Sequence, residues 1–156
     1  MIEIERKFLV VADEWPTGDR KIVIRQGYLA EQDNTVCRVR QKNDQFFLSI
    51  KTRIDHASSY DYEYKIPAED GNIMLDAICT RPAISKTRHE VQIAGKLWEI
   101  DEFHGKNEGL VVAEIELNSG DEEFDQPDWI AQEVTDDLRY TNAALYRNPW
   151  QTWNPW

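Results

Sequence analysis

The sequence is short of several things at once, and each shortage removes a class of protein. It has two cysteines in 156 residues, Cys37 and Cys79, too few for a disulfide framework and without the spacing of a zinc site. Both read as small buried residues. No apolar run reaches the roughly 18–20 residues a membrane-spanning helix needs. The opening Met1-Ile2-Glu3-Ile4-Glu5-Arg6-Lys7 is too charged for the core of a signal peptide, so the cytoplasm is the expected compartment and no membrane partner is expected. Cations are the scarcer charge, with 18 Lys and Arg against 29 Asp and Glu and a net charge of −11. Such a chain is repelled at long range by DNA and RNA, and no nucleic-acid partner is expected. A small polyanion is disfavoured as well, unless cations gather in one place. There is no Gly-rich phosphate loop of either common kind and no Gly-x-Ser-x-Gly elbow. His56, His89 and His104 have no ligand spacing.

What is present is alternation. Eight segments read as strands, at 2–10, 21–30, 35–41, 45–53, 59–66, 84–93, 96–103 and 110–118. Turn residues punctuate them, among them Gly18-Asp19, Asp33-Asn34, Asn43-Asp44, Gly95 and Gly105. Helices are expected over 67–78, opened by Pro67, over 127–134, opened by Pro127, and over 142–146. Many short strands and few helices give a mainly β chain of the α+β kind, its antiparallel sheet closed into a barrel. Residues 1–148 read as one domain, followed by a tail at 149–156 that holds three of the six tryptophans. That tail is expected to lie across the barrel or a neighbouring subunit.

Side chains two apart on a strand share a face. On that rule Glu3, Glu5 and Lys7 oppose Ile2, Ile4 and Phe8; Arg38 and Arg40 oppose Cys37 and Val39; Ser49 and Lys51 oppose Leu48 and Ile50. Asp61 and Glu63 oppose Tyr60, Tyr62 and Tyr64; Lys86 and Arg88 share a face with Glu90; Glu114 and Glu116 oppose Ile115 and Leu117. Each strand alone reads as the wet face of an amphipathic sheet. Taken together the charges are sorted, with carboxylate pairs on the first, fifth and eighth strands and cations on the third, fourth and sixth. Paired carboxylates offer hard oxygen donors to Mg²⁺ or Mn²⁺, and Arg and Lys grip phosphate oxygens. If these faces line the barrel's interior, cations concentrate inside while the excess acid stays outside. Gln26 and Tyr28 have the same inward parity, and Asp101 reads as a structural hydrogen-bonding partner within that interior.

These residues also carry a resemblance. Glu3-Ile4-Glu5-Arg6-Lys7 resembles the Glu-x-Glu-x-Lys signature of the CYTH superfamily, the triphosphate tunnel metalloenzymes. Gln26-Gly27-Tyr28-Leu29, Arg38-Val39-Arg40, Leu48-Ser49-Ile50-Lys51, Asp61-Tyr62-Glu63, Lys86-Thr87-Arg88, Glu114-Ile115-Glu116 and Arg139-Tyr140-x-Asn142 follow in the family's order. The match runs to about Tyr146 and is nearest the short, single-domain bacterial members. It implies a closed eight-stranded antiparallel barrel forming a tunnel, with a few flanking helices, and metal-dependent hydrolysis of inorganic triphosphate to pyrophosphate and orthophosphate. Carried over by position, Glu3, Glu5, Asp61, Glu63, Glu114 and Glu116 are the implied ligands of Mg²⁺ or Mn²⁺. Lys7, Arg38, Arg40, Lys51, Lys86 and Arg88 are the implied phosphate ligands. Lys7, Lys86, Glu63 and Tyr28 are the expected catalytic set, Lys86 or Lys7 facing the departing oxygens, Glu63 near the attacking water and Tyr28 placed by its shared parity with Gln26. Asp61 and Ser59 depart from the family, which often has Glu and a basic residue there. Thiamine or nucleoside triphosphatases and adenylate cyclases of the same fold are the enzymatic alternatives, and a polyphosphate-binding module the non-enzymatic one. Dimerisation is common in the family, so a homodimer is also expected.

Overall fold

The protein is described by a computed structural model covering residues 1–154. Nine strands form one antiparallel sheet: β1 (Ile2–Val10), β2 (Arg20–Gln32), β3 (Thr35–Lys42), β4 (Gln45–Arg53), β5 (Ser58–Ile66), β6 (Ile84–Ile93), β7 (Lys96–Phe103), β8 (Val111–Leu117) and β9 (Ile130–Glu133). Their order is β5-β4-β3-β2-β6-β7-β8-β1-β9, and β5 also pairs with β1. The β1–β5 pairing, at Ile2↔Tyr60 and Ile4↔Ser58, closes eight strands into a barrel and removes the open edges. Two-residue turns at Asp33-Asn34, Asn43-Asp44 and Ala94-Gly95 join successive strands. Asp33, Asn43, Ala94 and Gly95 there have positive φ, as tight hairpins require.

One element differs from the sequence-based expectation. Residues 127–134 were expected to be helical, but the chain turns at 127–129 and continues as β9. β9 pairs with Phe8 and Val10, where β1 has run past β5 while still paired with β8, so that unpaired edge overrides the helical start signal of Pro127. The tail carries a short helix, α3 (Trp150–Trp153), packed against the barrel, and Trp156 of that tail lies outside the described residues. The other helices stand where expected. α1 (Ala68–Ile73) runs on into a wider π turn over Met74–Ile78, closed by the Cys79 N–H donating to the Met74 carbonyl at 2.9 Å. Gly71 lets α1 press on the sheet, since a Cβ there would sit 2.2 Å from the Phe46 ring. α2 (Asn142–Arg147) is capped by the Thr141 hydroxyl, which accepts from the Ala144 N–H at 3.2 Å.

Three apolar clusters hold the fold, two of them outside the barrel wall. Phe8, Trp98, Ile100, Ala113, Ile115 and Leu117 face outward from β1, β7 and β8 and are covered by Trp15, Phe124 and Trp129. Val39 and Phe46 face outward from β3 and β4 under Leu75. The third cluster is a stopper in one end of the bore. Leu9, Tyr28, Ile84, Phe103 and Val112, all of inward parity, meet Val134, Tyr140, Leu145, Tyr146 and Trp150 of the C-terminal segment. No helix among the described residues is long and apolar enough to cross a membrane.

Candidate active site

The remainder of the bore is a cavity of about 600 Å³. Its lining takes Glu3, Glu5 and Lys7 from β1, Arg38, Arg40 and Lys42 from β3, and Lys51 and Arg53 from β4. Asp61 and Glu63 come from β5, Arg88 from β6, Glu99 from β7, and Glu114 and Glu116 from β8. Strand alternation puts them there: the opposite faces of β1, β7 and β8 carry one outer cluster, Val39 and Phe46 of β3 and β4 carry the other, and Tyr60, Tyr62 and Tyr64 of β5 face outward and are exposed. The carboxylates of β1, β5 and β8 form one neighbourhood because β1 pairs with both other strands, at Glu5↔Glu116, Lys7↔Glu114 and Glu3↔Ser59.

Each charge has a defined environment. Arg38 is buried, with Nη2 3.4 Å from Asp61 Oδ2. Burial works against its guanidinium, but Tyr28, Asp61 and Glu63 keep it charged and raise its pKa. Arg40 is buried against Gln26, donating from Nε to Oε1 at 2.9 Å, and Gln26 donates in turn to the Tyr28 hydroxyl at 3.1 Å. Burial, with Arg38 and Arg88 adding to it, brings Arg40 down to about 10. Arg88 grips Asp101 with two bonds, of 2.8 and 3.0 Å, and Glu99 with a third of 2.9 Å. Lys7 Nζ lies 3.5 Å from Glu114 and Lys51 Nζ 3.9 Å from Glu3. Burial opposes the Glu114 carboxylate, yet Lys7, Arg88, Lys86 and Lys51 hold it well below the usual range. Glu63 accepts from Ser49 at 3.3 Å and from Lys42 at 3.4 Å.

Lys86 departs from expectation. The sequence puts it among the phosphate-binding cations, but it is fully buried and does not line the cavity. Its ammonium donates to Asp101 at 2.7 Å and to Asn142 at 3.0 Å, at the floor of the stopper. Parity sets the direction of a side chain and not its depth, so only the structure reveals this. It also adds Glu99, Lys42 and Arg53 to the lining. Each has a signal in the sequence, two residues along its strand from Asp101, Arg40 and Lys51. Asn142 lines the cavity from α2.

The carboxylate side fits a divalent cation. Burial pushes Glu3 up to about 7, with Glu5, Asp61 and Glu116 raising it and Lys51 opposing. Burial and Glu5 likewise raise Glu116. Asp61 Oδ1 is buried with no hydrogen-bond partner. Crowded, mutually repelling oxygen donors with an orphaned carboxylate oxygen among them are what a hard cation relieves. No three acidic, His or Cys side chains among the described residues converge as a ready-made cage.

Comparison with known proteins gives a consistent result. A sequence model of the CYTH domain matches residues 1–144. A protein of Acetivibrio thermocellus named inorganic triphosphatase is 43% identical over 149 residues, spanning 96% of each chain. One of Nitrosomonas europaea with the same name is 36% identical over 150 residues, covering 93% of this chain and 97% of its own. A crystal structure of an inorganic triphosphatase superposes with a TM-score of 0.68 at 35% identity, over 92% of this chain and 93% of that one.

Proposed function

Because the chain belongs to the CYTH family, we propose that its cavity is the site of metal-dependent hydrolysis of inorganic triphosphate to pyrophosphate and orthophosphate. One observation carries the reading: the cavity sets buried guanidinium groups on β3 and β6 opposite a crowded carboxylate cluster on β1, β5 and β8. Cations alone would serve to bind an anion; the second half of the site is what a metal needs.

Arg38, Arg40, Arg88, Lys51 and Lys7 hold the phosphate oxygens. Their neighbours Asp61, Gln26, Asp101 and Glu99 fix three of them in advance, so little reorganisation is required as charge shifts in the transition state. Glu3, Glu5, Asp61, Glu63, Glu114 and Glu116 are the ligands available to Mg²⁺ or Mn²⁺, Glu114 being the one already neutralised by Lys7. A bound cation of that kind screens the substrate's charge and polarises its oxygens. Glu63, at the polar edge of the cluster, orients the water that attacks the terminal phosphorus. The bridging P–O bond breaks, and its electron pair leaves with pyrophosphate, whose oxygens face Lys7. Lys86 is a positioning residue, holding Asp101 in place behind Arg88. The Tyr28 hydroxyl, bonded by Gln26, orients Arg40 through that glutamine.

The reading also carries a cytoplasmic location and a homodimer. Ile50, Tyr60, Tyr62 and Tyr64 leave an uncharged, exposed outer face for a second copy in a chain whose net charge is −11. Light scattering giving a monomer's mass would discard the dimer.

The test of the function is product analysis with tripolyphosphate, ATP, thiamine triphosphate and pyrophosphate, in Mg²⁺, Mn²⁺ or EDTA. Tripolyphosphate should yield equal amounts of orthophosphate and pyrophosphate, only with metal. Cyclic AMP from ATP with no release from tripolyphosphate would replace the hydrolase by a cyclase.

A further inference from the structure

Two cations of the cavity, Lys42 and Arg53, have no task in this scheme, and Lys42 already faces Glu63. Arg53 ends β4 on the face shared by Ser49 and Lys51, and lines the cavity among the loop residues Asn34, Asp55 and His56. Its backbone is fixed on both sides. Its N–H donates to the Asn34 carbonyl at 2.9 Å, and it stands in register with Ser59 on β5. It lies two residues beyond Lys51, about 7 Å further along the strand, at the rim formed by the loops at 33–34 and 54–57.

The carboxylates around that rim, Asp55, Asp136 and Asp137, are each engaged elsewhere. Asp55 accepts from the Ala57 N–H at 2.9 Å and the Ser58 N–H at 2.7 Å. Asp136 lies 3.0 Å from His56 Nδ1. Asp137 is held by Arg139 through Nε at 3.0 Å and Nη2 at 2.6 Å. Deeper in, Asp61 faces Arg38 and Glu3 faces Lys51. Among the described residues no carboxylate lies within ion-pair distance of Arg53. Lys7, Arg38, Lys42, Lys51 and Arg88, by contrast, each face one. In a chain with eleven more acids than bases, a cavity guanidinium that all its acidic neighbours pass over is kept for an anion from outside.

We propose that Arg53 is a phosphate-binding residue at this rim of the cavity, taking the oxygens of the phosphate group at that outer end of a linear polyphosphate chain. It extends the cation row of the bore by one step and sets how firmly the outer end of the substrate is held. The proposal rests on the triphosphatase reading. The contact is made alike in ground state and transition state, because the outer group is remote from the bond that breaks, so its loss falls on KM and not on kcat.

Steady-state kinetics with tripolyphosphate tests it. Arg53→Gln should raise KM on the order of tenfold and leave kcat within about twofold. Arg53→Lys should keep part of the affinity. The double variant Arg53→Gln with Ser59→Arg returns a guanidinium to the same place from the paired strand and should recover most of the loss, which a purely structural role for Arg53 would not allow. An unchanged KM in Arg53→Gln, or a double variant no better than the single, overturns the proposal. If wild-type protein releases no phosphate, the underlying reading fails first. Calorimetric binding of tripolyphosphate in EDTA then tests Arg53 alone, and equal affinity for wild type and Arg53→Gln rejects it.

Discussion

The bore of this barrel is two materials set end to end. On β1 the inward residues run Glu3, Glu5, Lys7 and then Leu9; on β8, Glu116, Glu114 and then Val112; on β7, Glu99, Asp101 and then Phe103; on β6, Arg88, Lys86 and then Ile84. All four strands change character at one level, where the C-terminal stopper meets the cavity. The apolar part is packed and mutually attractive. The charged end crowds carboxylates beside one another and buries guanidinium groups, which costs free energy unless partners or a ligand offset it. The difference separates two duties that share one sheet: cohesion at the stopper, chemistry in the cavity. Substitutions at the two ends should therefore fail in different ways.

The largest effect belongs to the stopper. Leu145 is fully buried there, and Leu145→Ala should lose about 2–5 kcal/mol of stability in urea unfolding. Its turnover well below the melting transition should stay near wild type, and a large loss of kcat with intact stability would blur the division. The converse is Glu5→Gln, which should reduce kcat by roughly 10²-fold or more. Its thermal midpoint should hold or rise, because Glu5 is among the charges that push Glu3 up to about 7.

Lys86 marks the boundary and should show it in pH. Burial, aided by Arg88 and Arg40 and opposed by Asp101, brings its ammonium down to about 7. Its ordinary value is near 10.5. Between those values the unfolded chain binds more protons at this residue than the folded one. Its contribution to stability therefore rises with pH from about 7 towards 10, with a slope of up to about 1.4 kcal/mol per unit. Denaturant midpoints of wild type and Lys86→Met across pH 7–9 should diverge by that trend, and parallel curves would remove it. The smallest effect lies outside the bore. Arg6 donates from Nε to Glu133 at 2.8 Å at the half-exposed surface, and Arg6→Gln should cost under about 1 kcal/mol and leave turnover unchanged.

Much of this was legible in the sequence because a strand's alternation is a local property. The bounds of β1, β4, β6 and β7 follow from it, and so do the faces that carry Glu3, Arg38, Lys51 and Glu114. Parity also points at Glu99 and Arg53, which share the faces of Asp101 and Lys51. What stayed hidden depends on distant parts of the chain. β9 exists because β1 leaves an edge at Phe8 and Val10, a fact of topology that overrides the local look of Pro127-Asp128-Trp129. Lys86 is sealed from the cavity by Asp101 and Asn142, which lie 15 and 56 residues away. No local pattern reports how deep a residue of the right parity will sit.

The central claim is that the charged end of the bore is a metal-dependent triphosphatase site. It is tested most directly by orthophosphate release from tripolyphosphate, comparing wild type with Glu5→Gln at matched thermal midpoints, in Mn²⁺ or Mg²⁺ and in EDTA. The account predicts rapid release by wild type with metal, none in EDTA, and a loss on the order of 10²-fold in the variant. Equal release by both proteins, or release undiminished by EDTA, would contradict it.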